Sequence, residues 1–296
     1  MADQANDLRQ LALRSARPDA AGRKGPALVV LGAGKGGVGT TTLAVNLAVA
    51  LAQQRRRTML IDADPHGGHA SVLCGLQERY TLADVLCGRK RIPEVLQAGP
   101  CEVQILPGIW GLEKLCDDPP SATERLLDQL QGLEALVDLV VLDAGNSPSR
   151  MVQRLWQAAD IILTVTSVET TSILDTYAAI KALAEGSEIE ELYSLVNLVP
   201  SAAAAAEVHR RLAQVCQRFV KLDLKYCGHV PADPGVASSG CSRNAFMVAA
   251  PDCAAAQHMR RLAGWLATTA VHKRSAAVPA AAKHHHDLPA CCDVNA

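Results

Sequence analysis

The chain has 296 residues, with 29 Lys plus Arg against 30 Asp plus Glu, a formal net charge of -1 and an isoelectric point near 6.7. That balance excludes an overall field drawing the molecule to nucleic acid or to an anionic surface, so no specific nucleic-acid partner is expected. The ten cysteines contain no C-x-x-C pair, which argues against a zinc or iron–sulfur framework and for reduced thiols used in packing.

The length suits one α/β domain flanked by two tails. No secretory leader and no apolar run of about 18 residues is evident, so a cytoplasmic, non-spanning chain is expected. Residues 1–14 read as a helical arm with Ala5, Leu8, Leu11 and Ala12 on one face, and residues 15–26 as a linker. The main domain is expected over residues 27–268, and an Ala/Pro-rich disordered tail over 269–296. His284 to His286, Cys291 and Cys292 lie in that tail and are assigned no function.

Within the domain, apolar runs predict strands at Ala27–Leu31, Thr58–Asp62, Val103–Leu106, Leu139–Asp143, Ile161–Thr166, Tyr193–Leu198 and Lys225–Val230. Helical patterns fall at Thr41–Ala52, Ala122–Val137, Arg150–Ala158, Thr170–Ala184, Ala202–Phe219 and Ala254–Ala267. The alternation predicts an α/β fold, a doubly wound and mainly parallel sheet with helices on both faces. Arg55, Arg56 and Arg57 fall between a helix and a strand and read as a solvated loop.

Gly32 to Thr42 reads GAGKGGVGTTT. Against the phosphate-loop pattern G-x-x-x-x-G-K-[ST], Gly34 and Gly39 supply the flanking glycines and Thr41 the magnesium-directed hydroxyl, while Thr40 stands where the lysine belongs. Gly34, Gly36, Gly37 and Gly39 let successive backbone N–H groups turn toward one anion, and the helix that follows favours negative charge at its start. With Lys35, Val38 and Thr42 they form a candidate nucleotide-binding loop. Ligands of such a sheet sit at the carboxyl ends of its strands. There the sequence places Asp62, Asp64, Asp143, Asn197, Pro231 and Asp233, which together outline one crevice.

With Lys35 opening KGGVG and Asp62-Ala63-Asp64-Pro65 one helix later, the chain resembles the deviant-Walker ATPases of the MinD/ParA family over roughly residues 27–268. The resemblance implies ATP and Mg²⁺ as ligands and an ATP-dependent homodimer across which Lys35 reaches the partner's phosphates. It gives catalytic roles to Lys35 and to Asp64, which would position the attacking water. It also implies Thr41, Asp62 and Asp143 around magnesium, directly or through water. Asn197 matches the adenine-reading position, with Pro231 and Asp233 nearby.

The opening stretch Asp3 to Arg9, DQANDLR, resembles the DQAxxLR arm of the FlhG branch. That likeness implies an arm in which Gln4, Leu8 and Arg9 engage and stimulate an FlhF-type GTPase, attached to a body that controls flagellar number and placement. Two departures touch the γ-phosphate: Thr40 in place of the lysine, and Ser147 where the family's DxxxG glycine falls. Losing one charge-assisted phosphate contact costs on the order of 10- to 100-fold in affinity. Slow or absent turnover is therefore expected. The TadZ/CpaE proteins of pilus assembly share the loss, which makes a TadZ-like or MinD-like polar or septal scaffold the alternative. Peripheral contact with a membrane or cell pole is the family's habit, although His272 to Ala296 lacks the sustained apolar face of a membrane-lying helix.

Overall fold

A computed structural model describes residues 25–77, 79–109, 120–184, 189 and 191–276. The arm, with Gln4, Leu8 and Arg9, and the tail beyond residue 276 lie outside the described residues.

The strands are β1 (Ala27–Ala33), β2 (Thr58–Asp62), β3 (Gln97–Ala98), β4 (Gln104–Leu106), β5 (Leu139–Asp143), β6 (Ile161–Thr166), β7 (Leu192–Val199) and β8 (Leu224–Pro231). They form one sheet in the order β3-β4-β2-β5-β1-β6-β7-β8. The pairings are parallel apart from β3 with β4, which run antiparallel. This is the doubly wound α/β arrangement expected.

The central strands read as unbroken apolar runs because both of their faces are covered. Val29 and Leu31 of β1 pack with Val141 and Leu163 on one face, while Leu28 and Val30 pack with Val140, Leu142 and Ile162 on the other. On the first face lie α1 (Thr40–Gln53), the short α10 (Phe246–Ala249) and α11 (Ala254–Ala276). α1 is buried from Leu43 to Leu51, so its sequence is apolar nearly all round rather than amphipathic. Its one buried polar side chain past the first turn, Asn46, is satisfied twice, donating to Thr42 O at 2.8 Å and accepting from Met247 N–H at 2.9 Å. The opposite face carries α3 (Leu82–Leu86), α4 (Ile92–Val95), α5 (Pro120–Gln131), α6 (Arg150–Ala158), α7 (Thr170–Ala184) and α8 (Ala202–Phe219).

The structure departs from the sequence expectation in several places. α5 ends at Gln131 rather than Val137 because Gly132 follows, and the chain closes in turns through Leu133 and Leu136. α11 continues to Ala276, nine residues beyond its expected end at Ala267. Short helices at α2 (His69–Leu73) and α9 (Pro234–Cys241) were not expected; Asp233 caps α9, its Oδ1 accepting from Gly235 N–H at 2.8 Å. In the arginine loop, Arg57 pairs with Asp138 at 2.7 Å beside the start of β5.

Candidate nucleotide site

From β1 the chain crosses to β2 on one side, and from β5 it crosses to β6 on the other. The crevice that this reversal opens at the strands' carboxyl ends is where ligands of such sheets bind. The segment that fills its floor is Gly34 to Gly39. Gly37 and Gly39 hold φ of +82° and +87°, angles that turn their amides inward and favour glycine. Gly34 is required for a different reason: a Cβ there would lie 2.1 Å from the Asp175 carbonyl group of α7, so the loop packs backbone to backbone on that helix. Gly39 is the N-cap of α1 and has no side-chain cap, which leaves the first N–H groups of a 14-residue helix directed at the crevice.

A cleft of about 690 Å³ opens over this loop. On the loop side it is lined by Lys35, Gly36, Gly37 and Gly39, and by Thr40, Thr41 and Thr42 of α1. The facing wall is Asp64, His66 and His69, with Val72, Leu73, Gly145 and Asn146. Gly34 and Val38 lie behind the loop, and Val38 is buried.

Asp62 and Asp143 are register neighbours at the ends of β2 and β5, and both are fully buried. Asp62 holds the segment after β2: its Oδ1 accepts from Asp64 N–H at 3.3 Å and its Oδ2 from Ala70 N–H at 3.0 Å. Burial, and then the charge of Asp143, push the Asp62 carboxyl well above the usual carboxylate range. The Asp143 carboxyl is pushed up to about 6 by burial, with the Thr41 hydroxyl and the Gly145 N–H pulling it down and Asp64 pushing it up. Asp143 Oδ1 accepts from Gly145 N–H at 3.1 Å, but Oδ2 is buried without a hydrogen-bond partner. A carboxylate oxygen left without a donor beside a threonine hydroxyl, at the foot of a phosphate-directed loop, fits an oxygen-liganded Mg²⁺ that would complete its shell with phosphate and water. Among the described residues no group of three or more His, Cys, Asp or Glu could hold a metal ion.

Asp64 is buried with its carboxylate against the backbone of Gly145, where a Cβ would lie 2.3 Å from Oδ1. Gly145 has φ +62°. The glycine that turns this loop thus stands two residues after Asp143, ahead of Ser147. Asn197 is buried within β7, and its Nδ2 donates to Val38 O at 2.8 Å, tying the phosphate loop to the sheet.

Asn197 and two further expected site residues stand apart from the cleft walls. Pro231 ends β8, and both oxygens of Asp233 are taken by backbone, Oδ1 by Gly235 N–H and Oδ2 by Ala255 N–H at 3.2 Å. Lys35 also departs from the simplest picture. Its ammonium donates to Glu169 Oε2 at 2.5 Å and Thr171 Oγ1 at 2.9 Å at the start of α7, away from the loop amides. Sequence reasoning missed Glu169, Asn146 and the two histidines. The histidines alone left a signal, as ionisable residues directly after the Asp62–Asp64 pair.

A family model described as an AAA domain matches residues 27–187. The chain is 34% identical over 224 residues, 76% of its length and 80% of the relative's, to the antiactivator FleN of Pseudomonas aeruginosa. It is 26% identical over 251 residues, 80% of this chain and 81% of the relative, to the flagellum site-determining protein YlxH of Helicobacter pylori. Its fold overlays on the septum site-determining protein MinD of Pyrococcus horikoshii, solved with Mg-ADP, with a TM-score of 0.67 at 22% identity, covering 84% of this chain and 98% of that one. With a phosphate loop led by Lys35, paired aspartates at the ends of β2 and β5, and these likenesses, the chain belongs to the MinD/ParA family of P-loop ATPases.

Proposed function

We propose that the chain is a nucleotide-dependent regulatory switch acting on flagellar number or placement; YlxH is named as a flagellum site-determining protein and FleN as an antiactivator. The observation that carries the reading is the orphaned Asp143 Oδ2 beside Thr41, beneath the glycine loop. The loop amides and the start of α1 bind the polyphosphate, and Thr41 and Asp143 hold Mg²⁺, with Asp62 keeping the facing segment in place. Magnesium supplies charge neutralisation between phosphate oxygens. Asp64 orients water at the open end of the phosphate.

Lys35 would exchange Glu169 for the phosphates of a second copy, making self-association depend on ATP. The arm, through Gln4, Leu8 and Arg9, would then act on an FlhF-type GTPase. Size-exclusion chromatography with light scattering, with and without Mg-ATP, tests the switch; a mass unchanged by nucleotide counts against it. GTP hydrolysis by a matching FlhF-type GTPase tests the arm, with acceleration by the parent and not by Gln4→Ala expected.

Thr40 favours a second reading, a scaffold at a cell pole or septum that binds ATP without turning it over. Charge developing in phosphoryl transfer has no lysine at the Thr40 position to meet it. No described helix is long and apolar enough to cross a membrane, so contact with a membrane would be peripheral. Hydrolysis by the parent at a rate comparable to Thr40→Lys would rule out the scaffold.

A further inference from the structure

The cleft raises a question of charge. A nucleotide triphosphate brings several negative charges, and the residue that ordinarily meets them from the loop is the uncharged Thr40, itself buried. Lys35, the loop's remaining cation, is committed to Glu169 and Thr171. The other side chains on the cleft wall able to carry positive charge are His66 and His69, and the facing carboxylate is Asp64.

Both histidines are placed for this by the backbone. Asp64 Oδ1 accepts from His66 N–H at 2.9 Å, and Asp64 O accepts from Gly67 N–H at 3.4 Å, closing a turn that sets His66 at the rim. The His66 ring has Nδ1 3.7 Å from Asp64 Oδ1. His69 opens α2, packed against Gly67, where a Cβ would lie 2.4 Å from its ring. Both side chains are exposed to the cleft rather than used in the core. The Asp62–Ala70 hydrogen bond fixes the segment that carries them.

We propose that His66 and His69 are phosphate contacts that stand in for the absent P-loop lysine, gripping the polyphosphate from the wall opposite the loop. The inference rests on the nucleotide-binding reading above and names the groups that make it selective. Imidazole N–H groups are donors to phosphate oxygens in either protonation state that leaves one nitrogen protonated, and stronger ones when charged. With His66 beside Asp64 on the wall they share with Gly145, they address the terminal phosphate more than the inner ones, so they discriminate triphosphate from diphosphate.

The test is a binding cycle on the full-length chain by calorimetry, with Mg-ATP, Mg-ADP and AMP as probes. The variants are His66→Ala/His69→Ala, Thr40→Lys and all three changes together, each checked by circular dichroism and thermal melting. The histidine pair is expected to lower ATP affinity about 10- to 100-fold, ADP affinity less, and AMP affinity hardly at all. In the Thr40→Lys background the same removal is expected to cost less than about threefold for ATP, because lysine then supplies the contact. Unchanged ATP affinity in the pair, or an equal loss for all three nucleotides, overturns the inference. A parent that binds none of the three overturns the nucleotide-binding reading instead, so the two failures are distinguishable.

Discussion

Asp143→Asn separates what the fold wants at this position from what the site wants. In the folded chain the Asp143 carboxyl has its proton affinity raised from 3.8 to about 6, chiefly by burial. A shift of about 2 units at about 1.4 kcal/mol each places an upper limit of about 3 kcal/mol on the cost of keeping that charge buried at neutral pH. The sign follows from the direction of the shift. Between 3.8 and 6 the folded state holds a proton that the unfolded state has released, so stability is fully present at low pH and is lost as pH rises through about 6. Asparagine retains the oxygen that accepts from Gly145 N–H and carries no charge. Nucleotide-free Asp143→Asn is therefore expected to melt up to about 6–12 °C above the parent at pH 7.5, taking about 2–4 °C per kcal/mol for a domain of this size. The difference should shrink toward zero near pH 4. Added Mg-ATP should raise the parent's melting temperature and leave the variant's unmoved, since the metal-directed oxygen is gone. A variant no more stable than the parent at pH 7.5, or one that Mg-ATP still stabilises fully, would refute the assignment of a strained carboxylate awaiting magnesium.

The remaining predictions concern the loop and its lysine. Glu169→Gln should leave stability within about 0.5 kcal/mol, because the Lys35–Glu169 pair is half exposed, while lowering the ATP concentration needed for self-association in light scattering. Gly34→Ala should destabilise by about 3 kcal/mol or more in urea unfolding, because its Cβ would meet the Asp175 backbone and no flexible side chain can yield. Thr40→Lys should bind ATP about 10- to 100-fold more tightly by calorimetry and show raised phosphate release. Equal affinity would mean that the lysine position contributes nothing in this cleft.

What the sequence made legible follows from burial. LVVLD and IILTVT read as strands because helices cover them on both faces and polar residues stop them at the sheet's carboxyl edge, and both match β5 and β6 at each end. The helices α6, α7 and α8 kept their expected bounds for the same reason of periodicity. The two-residue β3 and the four- or five-residue α2, α3 and α4 span little more than a single repeat of their patterns, so no periodicity could announce them. α9, with the sequence PGVASSGC, is built from poor helix formers and exists through its proline start and the Asp233 cap. That same cap takes up the carboxylate which the sequence had offered to the crevice.

In the site, spacing placed the glycine loop, and Asp62 and Asp143 at the carboxyl ends of their strands, since a glycine nest and strand-end carboxylates leave a linear signature. Direction did not show. Lys35 turned toward Glu169, Asn197 turned onto Val38 O, and Asn146 lying over Gly36 are matters of which way a side chain points across 130 or more residues of intervening chain in the first two cases. Only the assembled sheet brings those partners together.

The account stands most directly on one titration: Mg-ATP into the full-length chain, followed by calorimetry at pH 7.5. It predicts saturable heat with an affinity between about 10 µM and about 100 µM, the range left when one lysine contact is removed from a micromolar site, and loss of that heat when magnesium is chelated. No saturable heat at millimolar nucleotide, or binding indifferent to magnesium, would contradict it.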